Sequence, residues 1–311
     1  MLRSPALWAV LGALLVAQGS CNGGSLNRPV AAASATKAAV PSPAPRPAPM
    51  PSGAPVRAPD FTLTGELTQG GWIRGLAPLG ANSVTLNGES VPLAADGSFF
   101  AAFDRDATGS ATLTAMVPGM RTVSRVLTIA PRAWNIEHVA VGPRPGALPS
   151  EEYARRRAVE LAQINAARRI NAVSDGWRQR FIWPAKGRLS GLFGSQRIYR
   201  GTPGSYHSGL DVATGGSGTP YVAPADGVVI LAAESPFTLE GNLLMIDHGM
   251  GLNSAFLHSS RLLVKVGDQV RQGQVIGLIG MTGRATGPHL HWSMKWHGAR
   301  LDPLLFTGPM R

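Results

Sequence analysis

Thr282-Gly283-Arg284-Ala285-Thr286-Gly287-Pro288-His289-Leu290-His291-Trp292 is a glycine- and proline-punctuated turn that feeds into a short alternating run. It is no phosphate loop, because neither a Lys-Ser/Thr pair nor a helix follows. It reads as a turn delivering the chain into a strand, where successive side chains point to opposite faces, so His289 and His291 share one face. Working outward, β-type runs occupy Gly227 to Ala232, Asn242 to Asp247, Asn253 to His258 and Gln274 to Gly280. Little from Trp183 onward favours a helix. Residues 181–311 are therefore expected to form an all-β domain with tight turns.

Upstream, Ser83 to Leu86 meets Asn87-Gly88 and then Glu89 to Leu93, a strong hairpin signal. Further runs at Ser98 to Phe103, Ala111 to Val117 and Thr122 to Ile129 complete a pattern of short strands and turns. Residues 60–131 are expected to be a small β-sandwich, immunoglobulin-like, acting as a binding or positioning module. Residues 132–180 read as a linker with a basic helix. Ser150 caps it, Glu151 and Glu152 occupy the first turn, and it runs to about Ala172. Leu161 and Ile164 supply only a thin apolar stripe against Arg155, Arg156, Arg157, Arg168 and Arg169, which favours a solvated linker.

Residues 22–59 are rich in Pro, Ala and Ser, with proline at every second position from 41 to 51. Such a chain builds no core and prefers extended polyproline geometry, reaching on the order of 100 Å at about 3.1 Å per residue. Before it, Arg3 and the apolar run Ala6 to Ala17 form a secretory signal, too short to span a membrane, within residues 1–21. Gln18-Gly19-Ser20-Cys21 resembles a bacterial lipoprotein signal, in which Cys21 is lipidated, but Gln18 stands where an apolar residue is usual. Ordinary cleavage after Gly19 is the rival. Both routes imply export to the periplasm or cell envelope.

The 311 residues carry a formal charge of +11, with 44% hydrophobic and 15% charged side chains. That composition supports a packed core and excludes general disorder. The basic excess favours anionic surroundings such as a cell wall or lipid headgroups. No zinc knuckle, RNA-binding aromatic motif or concentrated basic block points to nucleic acid. The lone cysteine excludes an intrachain disulfide.

Four of the seven histidines fall in or near two short motifs or on a β-run: His207-Ser208-Gly209-Leu210-Asp211, His289-Leu290-His291, and His258. Neutral imidazole and carboxylate are ordinary zinc ligands, and three protein ligands plus a water describe a catalytic site rather than a closed structural one. His138, His248 and His297 stand alone and read as surface or core residues. No His-Glu-x-x-His is present to supply a glutamate base. An imidazole, with an ordinary pKa near 6.5, can do that work instead.

The stretch from about Trp183 to Phe306 resembles the LytM/lysostaphin-type zinc endopeptidases, which cut peptide cross-links of bacterial cell walls. The resemblance rests on Gly191-Leu192-Phe193-Gly194, His207 to Asp211, Val222-Ala223-Pro224-Ala225-Asp226-Gly227-Val228-Val229, Ile246-Asp247-His248-Gly249, Val266-Gly267 to Gly280, and Thr282 to His291. It implies a mainly β fold of the duplicated-hybrid-motif kind. It implies one Zn2+ held by His207, Asp211 and His291, with His258 and His289 as the catalytic histidines. The aromatic residue before the first of these lacks its usual hydroxyl, since Phe256 precedes Leu257-His258. Arg197 and Tyr206, close to the motif in sequence, are candidates for the substrate groove.

Two functions compete under this resemblance. One is an endopeptidase acting on peptidoglycan stem peptides. The other is a catalytically silent relative that binds peptidoglycan or activates another hydrolase. All five positions are filled, which favours catalysis. A lipoyl- or biotinyl-type carrier, whose hairpins resemble Val266 to Gly277, is set aside because no Met-Lys site stands at the turn. The family cuts glycine-rich bridges or D-alanyl-diaminopimelate links, and the Ala/Arg/Pro bias favours the second.

Overall fold

The computed structural model describes residues 59–119, 122–140 and 150–310. The expected signal segment, Cys21 and nearly all of the proline-rich linker lie outside the described residues. Among the described residues no helix is long and apolar enough to cross a membrane.

The upstream segment contains β1 (Thr62–Gly65), β2 (Trp72–Leu76), β3 (Ser83–Leu86), β4 (Glu89–Val91), β5 (Ser98–Ala102), β6 (Ser110–Met116) and β7 (Val123–Thr128). They form two antiparallel sheets, ordered β1-β2-β5 and β4-β3-β6-β7. Asn87 and Gly88 both take left-handed φ, 51° and 87°, as a two-residue hairpin turn requires. Along β6 the alternation buries Ala111, Leu113 and Ala115 and leaves the intervening residues at the surface.

Strand β5 departs from alternation, because every residue of Ser98–Ala102 is buried. Phe99 faces the sandwich interior against Phe61, while Phe100 packs on Trp72, Trp296 and Phe306. The β-sandwich is thus fused to the downstream domain through an aromatic core. Trp72 donates its indole N–H to the Leu305 carbonyl at 3.0 Å. Arg132 pairs with the fully buried Asp302 at 2.7 Å.

Within 132–180, β8 (Ile136–Val139) comes before the helix and pairs in parallel with β10 (Gln196–Tyr199), which is also joined to β11 (Thr202–Pro203). Helix α1 spans Glu151–Arg168, and the Ser150 hydroxyl caps the Tyr153 N–H at 3.1 Å. It ends before Ala172, whose N–H is taken by the Asp247 carboxylate at 2.8 Å.

The expectation of a solvated linker helix is corrected. Ile164 and Ala167 are buried against Phe237, Leu243, Met245 and Ala255, whereas Leu161 remains 41% exposed. Burying one such isoleucine side chain is worth about 2 to 3 kcal/mol. Glu160 is also buried, and it accepts bonds from the Thr238 N–H and hydroxyl at 2.7 Å each.

The downstream domain is all-β apart from the single turn of α2 (Leu304–Thr307). Its remaining strands are β9 (Arg188–Gly191), β12 (Leu210–Ala213), β13 (Pro220–Val222), β14 (Gly227–Ala232), β15 (Asn242–Asp247), β16 (Leu252–Ser259), β17 (Arg261–Leu262), β18 (Gln269–Val270), β19 (Val275–Leu278), β20 (Leu290–Trp296) and β21 (Ala299–Leu301). An antiparallel sheet ordered β18-β14-β15-β16-β20-β12-β9, with β21 beside β20, carries a smaller sheet β13-β19-β17. Strand β15 is buried on both faces. Leu244 and Ile246 join the main core with Tyr221, Phe256 and Trp292, while Leu243 and Met245 lie under α1. One face of the large sheet is therefore sealed, and the other holds the helix beside an open stretch at β12 and β20.

Candidate active site

Asp211 on β12 lies directly opposite His291 on β20, which brings their side chains to the same face of the sheet. His207 comes from the loop that enters β12. His207 Nε2 lies 3.1 Å from Asp211 Oδ1 and 3.1 Å from His291 Nδ1, and His291 Nδ1 lies 2.8 Å from Asp211 Oδ1. Bonds of 2.0 to 2.1 Å in a tetrahedral zinc site give ligand–ligand edges of about 3.3 Å. The triangle of donors is close to one face of such a tetrahedron. Two imidazoles and one carboxylate therefore fit a zinc-type cation with a vertex left for solvent or substrate.

Neighbouring groups set the orientation of the donors. The Leu192 carbonyl takes the His207 Nδ1–H at 3.1 Å, leaving Nε2 with its lone pair toward the cluster. A Cβ at Gly191 would strike the Asp211 carboxylate, and one at Gly209 would sit 2.7 Å from His291 Nε2. Glycine is required at both places by close approach.

Burial works against the Asp211 charge, but the His207 and His291 imidazoles beside it hold its carboxyl well below the usual range. At His207 burial is outweighed by the Asp211 bond, so its pKa rises. At the more deeply buried His291 burial wins, lowers the pKa and favours the neutral ring.

Two further imidazoles stand beside these donors. His289 gives Nδ1–H to the Gly287 carbonyl at 2.8 Å, and its Nε2 is 3.7 Å from Asp211 Oδ1. His258 gives Nδ1–H to the Thr282 carbonyl at 2.8 Å, and the two rings lie 4.8 Å apart. In each, the bond at Nδ1 leaves Nε2 as the acceptor of the neutral ring. Burial pushes His258 below the ordinary imidazole value.

His258 also has φ of 63°, a left-handed conformation uncommon for a residue with a Cβ. Such strain persists only where surrounding structure over-determines it. Here the Glu240 carbonyl holds the His258 N–H at 2.8 Å, while Thr282 holds the ring. Phe256 is fully buried and stacked on Tyr221 with centroids 5.4 Å apart, so that position serves the core.

All five residues of the predicted constellation converge. The two groove candidates have partners from the upstream segment instead. Arg197 donates Nε–H to Glu137 of β8 at 2.6 Å and is largely exposed. Tyr206 lies under the Arg105 guanidinium at 4.6 Å and accepts Nη1–H from Arg300 at 3.2 Å. His248, with its two nitrogens on the Asp226 carbonyl and the Ser254 hydroxyl, is a fully buried structural residue.

Residues 205–303 match the description of Peptidase family M23. The chain carries a peptidase family M23 domain.

The chain is similar to the peptidoglycan DD-endopeptidases ShyA and ShyC of Vibrio cholerae. The identity to ShyA is 38% over 133 residues, covering 42% of this chain and 30% of that protein. The identity to ShyC is 34% over 147 residues, covering 47% of this chain and 30% of that protein. The matches thus span under a third of either relative. A solved Pseudomonas aeruginosa structure assigned to peptidase M23 aligns over 78% of this chain and 96% of its own, with 28% identity and a TM-score of 0.59. That alignment extends well beyond the M23 domain itself.

The M23 match begins just before His207, so Gly191, the Leu192 carbonyl and helix α1 all lie outside it. Gly191 and Leu192 belong to the Gly-Leu-Phe-Gly stretch of the resemblance, but their contacts with Asp211 and His207 emerge only in the fold. Glu240 and Thr282 act through backbone carbonyls, which leave no side-chain signature.

Proposed function

We propose that this chain is a zinc-dependent endopeptidase that hydrolyses peptide cross-links of bacterial peptidoglycan. The observation that carries the reading is the pairing of a His207/Asp211/His291 donor triangle with two imidazoles whose Nε2 atoms are free to exchange protons. When bound, zinc polarises the scissile carbonyl and brings the pKa of its water towards about 7.

The chain's own residues do the rest. His207, Asp211 and His291 hold the metal. His289 and His258 divide the work of taking the nucleophile's proton and hydrogen-bonding the oxygen that gains charge. Burial keeps His258 neutral at working pH, as an acceptor needs. His207, Asp211 and His289 retain 25%, 21% and 16% side-chain exposure, so the cluster is reachable from solvent with the upstream module in place.

The substrate class follows the similarity to ShyA and ShyC, both named peptidoglycan DD-endopeptidases. It also suits the basic charge and the reading of residues 1–21 as a signal segment; on this proposal the protein acts in the periplasm or cell envelope, tethered there if Cys21 is lipidated.

His289→Ala and His258→Ala test the division of labour. Both variants are expected to retain about one zinc, as a site with its three ligands intact should. Each should lose at least about 100-fold in hydrolysis of purified sacculi, the usual scale of acid–base catalysis. Full activity in a zinc-loaded His289→Ala protein contradicts the assignment.

A further inference from the structure

Asp211 and His291 are held by the pairing of β12 with β20. His207 has no such support, because it stands in the loop after β11, outside any strand. Its backbone is clasped to the start of β10 instead. The Gly194 N–H donates to the His207 carbonyl and the His207 N–H to the Ser195 carbonyl, at 2.8 Å each. Gly194 is itself pressed against the Trp134 ring, with φ of 80° and no room for a Cβ. The donor in the loop therefore inherits its position from whatever holds Gly194.

Arg105, from the turn after β5 of the sandwich, reaches this point, although the M23 match begins only at residue 205. Its Nη2 donates to the Gly194 carbonyl at 3.0 Å and to Gln196 Oε1 at 3.1 Å. The Gln196 amide passes the contact on, donating Nε2–H to the Gly204 carbonyl at 2.7 Å, which ties β10 to the end of β11. The guanidinium also packs on two rings, 5.1 Å from Trp134 and 4.6 Å from Tyr206, the residue before His207. Arg132 and Arg300 contact the same two rings at 4.5 and 5.3 Å, giving an alternating series of three guanidiniums and two aromatics. Arg105 is buried, and its Nε has no hydrogen-bond partner. Burying a charge is costly, and packing alone is better served by an apolar side chain.

We propose that Arg105 is a positioning residue for the metal ligand His207, so that the β-sandwich completes the metal site of the M23 domain. A guanidinium offers several N–H donors in one rigid plane, and a single side chain can fix the Gly194 carbonyl and Gln196 together. Groups behind a metal ligand set its orientation, and disturbing them weakens metal binding. The inference rests on the zinc reading of the site and goes beyond it, because it gives the upstream module a share in the metal centre.

The test measures zinc affinity, by competition with a chromophoric chelator, and the visible spectrum of the cobalt(II)-substituted protein, in the full chain and its variants. Arg105→Met keeps a side chain of similar length without the charge or the donors. It is expected to bind zinc about 10- to 100-fold more weakly and to shift the cobalt bands, because His207 sits differently. Arg105→Lys, a point charge without the rigid plane of donors, should recover part of the loss. Phe99→Leu is the control. It loosens the sandwich interior, lowers the urea midpoint, and should leave affinity and spectrum as in wild type. Should Arg105→Met fail to fold, Gln196→Leu cuts the same connection from the hairpin side and is read in the same way. Wild-type affinity and spectrum in Arg105→Met, or an equal affinity loss in Phe99→Leu, overturns the positioning role. A wild-type protein that binds no zinc overturns this role and the peptidase reading together. Zinc binding without hydrolysis of sacculi overturns the peptidase reading alone, and the affinity comparison still decides the role of Arg105.

Discussion

Arg157 and Glu240 are joined by two short bonds, Nη1 to Oε2 at 2.6 Å and Nη2 to Oε1 at 2.7 Å. The backbone carbonyl of that same Glu240 accepts the His258 N–H. Glu160, three residues along the helix from Arg157, holds Thr238 in the same loop. Helix α1 thus grips the loop that keeps a left-handed histidine in place.

Arg157→Ala should release that grip. A displacement near 1 Å of a catalytic group costs up to about 100-fold, so kcat is expected to fall by roughly 10- to 100-fold. Zinc content should stay unchanged, because no ligand is touched. The double variant Arg157→Glu with Glu240→Arg restores the pair in reverse and should recover much of the loss. Unaltered kcat in Arg157→Ala refutes the positioning role.

Gly209→Ala should act on the metal directly. Its Cβ would meet His291 Nε2 at 2.7 Å and push the ring from the donor triangle. Disturbing what orients a ligand typically costs about 10- to 100-fold in metal affinity. Competition with a chromophoric chelator measures this, and unchanged affinity argues against close packing at that ring.

Arg132→Ala should destabilise the whole fold, because it leaves the Asp302 carboxylate, 1% exposed, without its partner. Breaking a buried pair on one side costs about 3 to 5 kcal/mol. Urea unfolding should show the loss in one transition shared by the β-sandwich and the M23 domain. Two separate transitions contradict the common core.

His248 gives the protein an acid-sensitive element. Complete burial lowers its pKa from 6.5 to about 4. Above pH 6.5 the ring is neutral in both folded and unfolded chains, and its contribution is fully present. As pH falls towards 4 the unfolded chain gains a proton that the folded one refuses, so stability drops by up to about 3 kcal/mol. Urea unfolding of wild type and His248→Gln across that range checks the sign. The variant should show the shallower dependence.

Much of this could be read from the sequence where the signal is local. The Asn87-Gly88 hairpin and the runs that became β14, β15 and β16 stand where their turns and spacings indicate, whereas only the family resemblance groups His258 with His207, Asp211, His289 and His291. The helix was misjudged because its buried face uses Ala167 and the hydrogen-bonded Glu160, which no apolar periodicity reveals. Strand β8 and the partners of Arg197 and Tyr206 escaped for another reason. Glu137 and Arg105 meet them across 60 and about 100 residues of chain, and only the folded core brings the two segments together.

Purified sacculi incubated with the full chain, before and after zinc is stripped and then restored, test the central claim most directly. The account predicts uncross-linked peptides from the zinc-loaded protein, none after stripping, and recovery on adding about one equivalent of zinc. Undiminished release from the stripped protein, or no release from the loaded one, contradicts it.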